Sequence, residues 1–83
     1  MGEIDFDGPD PIYVQAAGVL RARIQDGTYP PNRAMPSIPA LALELGIAKA
    51  TMQKALDLLK DEGLIRSVKG RGTFPIAQDD SES

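Results

Sequence analysis

With 83 residues, no cysteine and no histidine, the chain has room for one small domain and lacks the side chains for a disulfide, a thiolate or imidazole metal site, or neutral-pH acid/base chemistry. Its net charge is −3, but the acids are not spread evenly. Residues 1–10 hold Glu3, Asp5, Asp7 and Asp10 with no base, and residues 79–83 hold Asp79, Asp80 and Glu82. Between them, nine Lys/Arg face only Asp26, Glu44, Asp57, Asp61 and Glu62, a surplus of +4. A basic middle flanked by acidic ends points to an anionic partner for the middle alone.

Residues 1–10 combine acid, Gly and Pro, a composition that buries little apolar surface, and are expected to form a flexible acidic arm. No apolar run approaches the roughly 20 residues that span a bilayer, and the N-terminus has neither the basic start of a signal peptide nor a myristoylation pattern. A cytoplasmic location, at the bacterial nucleoid, with no membrane partner, is the expectation.

The domain proper spans 11–76. Ile12, Ala16, Ala17, Leu20 and Ile24 recur at helical spacing and predict a first helix from about Tyr13 to Asp26, with Gly27 as its stop. Thr28-Tyr-Pro-Pro-Asn-Arg is a Pro-rich turn. Ser37 is placed to cap a short second helix that tolerates Pro39 in its first turn, buries Leu41, Ala42 and Leu45, and ends at Gly46. A third helix over 48–62 buries Met52, Ala55, Leu56 and Leu59 and is closed by Gly63. Leu64–Val68 and Thr73–Ile76 read as two short strands joined by a Gly-containing connection, with Pro75 confined to an edge or a strand end. Residues 77–83 form an acidic tail. The fold class is therefore mostly α with a small β-hairpin.

Two short helices joined by a Gly-containing turn fit a helix-turn-helix, and an ordinary three-helix bundle offers the same turn. The outward face of the third helix adds chemistry: Lys49, Ala50, Gln53, Lys54 and Asp57 alternate with the buried set. Lys reaches phosphate or guanine, Gln matches adenine in the major groove, and small Ala50 lets the helix approach closely. The hairpin tip Lys69-Gly70-Arg71-Gly72 sets two cations between glycines that admit a tight turn and keep bulk away from a phosphate backbone or minor groove.

Pro11-Ile-Tyr-Val-Gln, Pro36-Ser37, Leu41-Ala42, Gly46-Ile47, Thr51, Ala55-Leu56, Glu62-Gly63-Leu64 and Gly70-Arg-Gly-Thr-Phe74, in this order, resemble the DNA-binding domain of GntR-type bacterial transcription regulators. The resemblance implies a winged helix-turn-helix of three helices and a two-stranded wing that binds an inverted-repeat operator in double-stranded DNA as a homodimer, with no cofactor and no metal. On that pattern Lys49, Ala50, Thr51 and Gln53 meet base edges, while Ser37, Lys54, Lys69, Gly70, Arg71 and Gly72 meet the backbone. The chain departs from the pattern at Ile38-Pro39-Ala40, where relatives carry an acidic-Arg-acidic run. It departs again at Ala48 in place of a hydroxyl cap, at Lys49 in place of Arg, and at Gln53, where Arg is frequent. The last change moves the expected preference from guanine to adenine. Relatives continue into an effector-binding domain, so the resemblance implies either a fragment or a stand-alone short form. The competing expectation is a winged-helix adaptor or antirepressor that binds another regulator; an enzyme lacks a motif.

Overall fold

The computed structural model describes residues 4–77 and contains three helices followed by an antiparallel hairpin: α1 Ile12–Gln25, α2 Ile38–Leu45, α3 Lys49–Asp61, β1 Ile65–Val68 and β2 Gly72–Pro75. This is the winged helix-turn-helix order. Each expected helix is present: α1 starts and ends one residue earlier than expected, α2 lies between Ser37 and Gly46, and α3 is one residue shorter at each end. The acidic tail beyond Ala77 lies outside the described residues.

The helices begin and end for local reasons. At α2, the Ser37 Oγ accepts the Ala40 N–H at 3.3 Å, and Pro39 occupies a first-turn position whose N–H would have had no helical partner. Gly46 ends that helix at φ +71, where the Ile47 N–H reaches the Ala42 carbonyl at 3.0 Å; a side chain with a Cβ is strained in that left-handed region. Ala48 stands at the start of α3 with no side-chain cap, so no neighbouring side chain replaces the missing hydroxyl.

The core draws on the three helices and on β1. Leu20 of α1, Leu41 of α2 and Met52 and Leu59 of α3 are its largest fully enclosed side chains. Ala16, Ala17, Ala42 and Ala55 are buried between them, and residues this small let the helix axes come close. Ile65 extends the same core from β1, while Leu45, expected to be buried, is only half-buried. No polar or charged residue is buried among the described residues, so the core carries no desolvation cost to offset.

Two ion pairs fasten α1 to the other helices. Arg21 donates from Nε and Nη2 to both carboxylate oxygens of Glu62, at 2.9 and 2.6 Å. Arg23 meets Glu44 of α2 at 2.8 Å and donates to the Tyr29 hydroxyl at 2.7 Å. These arginines, which the apolar periodicity leaves off the core face, tie the bundle together from outside.

The hairpin pairs Ile65 with Pro75, Arg66 with Phe74, Ser67 with Thr73 and Val68 with Gly72. Pro75 ends its strand, as its missing N–H requires, and the Ile76 N–H continues beyond it to the Leu64 carbonyl at 2.8 Å. The Met35 N–H donates to the Thr73 carbonyl at 2.8 Å, which docks the loop before α2 against the free side of β2.

Within the stretch expected to form a flexible arm, residues 4–10 make contacts with the domain. Ile4 is buried in the core at 7 % exposure. The Gln15 side chain accepts the Asp5 N–H at 2.6 Å and donates to the carbonyls of Asp5 and Asp10 at 2.8 and 3.0 Å. A single apolar anchor and one amide in the first turn of α1 hold the segment, and average composition does not register either.

Candidate nucleic-acid interface

The third helix turns Met52, Ala55, Leu56 and Leu59 inward, which leaves Lys49, Ala50, Lys54 and Asp57 exposed and Thr51 and Gln53 half-buried at the margin. Lys49 and Ala50 lie in the first turn, projecting into solvent ahead of the packed part of the helix. The Gln53 Nε2 donates to the Asp57 carboxylate at 3.0 Å, one turn on. The Lys54 ammonium rests over the Tyr13 ring, 5.8 Å from its centroid, so its stem lies along α1.

At the other end of the surface, the Arg71 N–H closes the hairpin turn onto the Val68 carbonyl at 2.9 Å, and Gly70 takes φ +80 within it. Lys69, Gly70, Arg71 and Gly72 are all exposed at this tip. Ser37 is exposed as well; its oxygen accepts from Ala40, leaving its hydroxyl proton for an outside acceptor.

The charges are sorted by role. Arg21 and Arg23 are matched with Glu62 and Glu44, and Lys60 lies 3.8 Å from Asp57. Paired charges shift accordingly: the Arg21 hydrogen bonds hold the Glu62 carboxyl below its ordinary range, and Glu62 in turn raises Arg21. Among the described residues, Arg33, Lys49, Lys54, Arg66, Lys69 and Arg71 have no ion-pair partner. They lie on the loop before α2, the N-terminal half of α3 and the hairpin. The unneutralised charge is thus concentrated in the helix-turn-helix and wing elements.

Sequence reasoning missed three residues here. Asn32, at φ +70, lines an open cleft of about 230 Å³ with Arg66, Val68, Arg71 and Phe74. Arg66 was legible from strand alternation: it sits between buried Ile65 and the turn, on the face opposite the core. Arg33 is exposed in the loop that docks on β2. Among the described residues no group of His, Cys, Asp or Glu is arranged to hold a metal ion, and no helix is long and apolar enough to cross a membrane.

The family model described as bacterial regulatory proteins, gntR family, matches residues 12–74. The chain is 39 % identical over 71 residues to the HTH-type transcriptional repressor NagR of Bacillus subtilis (strain 168), covering 86 % of this chain and 29 % of that protein. It is 35 % identical over 68 residues to the histidine utilization repressor of Pseudomonas putida, covering 82 % of this chain and 27 % of that one. It therefore spans under a third of the length of these curated relatives. Among solved structures, the DNA-binding domain of AraR in complex with operator ORX1 superimposes with a TM-score of 0.79 at 32 % identity, over 89 % of this chain and 95 % of that one. YtrA from Sulfolobus acidocaldarius, a GntR-family transcription factor, gives 0.80 at 34 % identity, over 95 % and 83 %.

Proposed function

Because the chain belongs to the GntR family of bacterial regulatory proteins, we propose that it binds operator DNA as the reading unit of a transcription regulator, with α3 in the major groove and the hairpin along the adjacent backbone or minor groove. The observation that carries this reading is the sorting of charge: cations that brace the fold are paired, and those of α3, the wing and the loop before α2 are not. The solved relative AraR, whose DNA-binding domain this chain matches over nearly its whole length, was captured on its operator.

In this arrangement Lys49, Ala50, Thr51 and Gln53 meet base edges. Ser37, Lys54, Lys69, Gly70, Arg71 and Gly72 position the domain on phosphates, and Arg33 and Arg66 join them. Two copies bind the two halves of an inverted repeat, as the symmetry of a dimeric helix-turn-helix requires. The work is binding, not catalysis.

Selection of bound duplexes from a random pool tests the proposal. Enrichment of inverted repeats, with log affinity falling about 0.9 per neutralised phosphate against log salt, supports it. A second reading, an adaptor that docks on another regulator, is favoured by Leu43, 84 % exposed on α2, and by Phe6, 61 % exposed in the segment before α1. Salt-insensitive binding, or a pool that emerges unenriched, would favour that reading.

A further inference from the structure

Asp57 is an anomaly on a face meant for a polyanion. It is exposed, it lies on the same side of α3 as Gln53, and its negative charge opposes the attraction of Lys49 and Lys54 for phosphate. Among the described residues, its carboxylate is hydrogen-bonded by the Gln53 amide: Gln53 Nε2 to Asp57 Oδ1, 3.0 Å. Lys60 Nζ stands 3.8 Å from the same oxygen and steadies the carboxylate from the next turn.

That contact decides which end of the amide is which. An ionised carboxylate only accepts, so the end of Gln53 that faces Asp57 must be the NH₂, and Oε1 is turned away. One of the two amide hydrogens is used on Asp57. What remains for an outside partner is one N–H donor and one carbonyl acceptor, side by side and fixed in order. Adenine presents the complement in the major groove, an N7 acceptor beside an N6 amino donor. Guanine presents two acceptors, N7 and O6, so the fixed Oε1 would face O6 with no hydrogen between them.

We infer that Asp57 is a positioning residue for base readout: by holding the Gln53 amide in one orientation it makes that side chain select adenine over guanine at one operator position. This rests on the DNA-binding reading above and adds a residue that itself contacts no base. Asp57 weakens general attraction to DNA and strengthens discrimination at one step of the site.

The test compares the parent with Gln53→Ala, Asp57→Ala, Asp57→Asn and the Gln53→Ala/Asp57→Ala double variant on duplexes drawn from the selected pool. The position to score is the one whose adenine preference vanishes with Gln53→Ala. There the parent prefers adenine over guanine by about tenfold. Asp57→Ala shrinks that ratio to threefold or less while tightening binding to unselected DNA. Asp57→Asn relaxes the ratio too, because its amide can meet either end of Gln53. In the double variant, removing Asp57 does nothing further to the ratio, as two residues acting through one contact require. An unchanged adenine-to-guanine ratio in Asp57→Ala, alongside its loss in Gln53→Ala, overturns the inference alone. A preference indifferent to Gln53→Ala at every position likewise overturns the inference and leaves the DNA-binding reading standing, whereas failure to select any duplex overturns both.

Discussion

Replacing Ile4 by Ala asks whether the segment before α1 belongs to the fold. Ile4 is 7 % exposed and packs with the same cluster as Leu20 and Met52. Losing three buried carbons at about 0.8 kcal/mol each predicts roughly 2 kcal/mol of destabilisation. That lies at the low end of Ile-to-Ala losses, because a segment near the chain end can shift to fill part of the space. In a domain of this size, it corresponds to a fall in Tm of about 8–16 °C. Thermal and urea unfolding followed by circular dichroism measure it. Gln15→Ala removes the three hydrogen bonds that hold the same segment and lowers stability by about 1 kcal/mol, less than three full bonds because all three are exposed. The double variant loses less than the two single losses combined, since both release one piece of chain. If Ile4→Ala unfolds within 0.5 kcal/mol of the parent, Ile4 is not part of the core and the reasoning fails.

Gly46→Ala meets no atom within 4 Å, so its effect isolates backbone strain at φ +71; a loss of about 1 kcal/mol in urea unfolding is expected, and no loss would show that α2 ends some other way. Glu62 is held below the ordinary glutamate value, first by the Arg21 hydrogen bonds, so it stabilises the fold above the unfolded value of about 4.3 and loses that contribution as pH falls through the lower folded value. Glu62→Gln should flatten the acid limb of stability against pH, and parallel curves for parent and variant would contradict the assignment. Arg66→Ala should reduce the slope of log affinity against log salt by about 0.9, leaving base preferences as they were; an unaltered slope would place the cleft beside Phe74 away from DNA.

The helices and the hairpin were legible because their periods are clean: Met52, Ala55, Leu56 and Leu59 repeat as a helix, and the glycines at 27, 46 and 63 fall where chains stop. The candidate contacts of α3 and the wing tip were legible for the same reason, as the residues left over on an otherwise committed face. What stayed hidden is pairing across distance. Nothing local links Arg21 to Glu62, 41 residues on, or Asp5 to Gln15, so composition alone does not reveal the contacts of Ile4 and Gln15. Asp57 was visible as a solvated acid; its grip on Gln53 depends on rotamers, which spacing allows and only the folded helix shows.

The Arg21–Glu62 contact sits where α3 gives way to the turn into β1. An exposed ion pair contributes little to stability, but a planar fork gripping both carboxylate oxygens fixes direction as well as distance. Glu62 is the last residue before the chain turns through Gly63 and Leu64 towards the hairpin, so the contact ties α1 to the point where the chain leaves α3 for the wing. On the operator-binding proposal, a wing anchored to α1 in this way adds a shape requirement to the base contacts of α3, met most easily where the double helix bends or narrows readily.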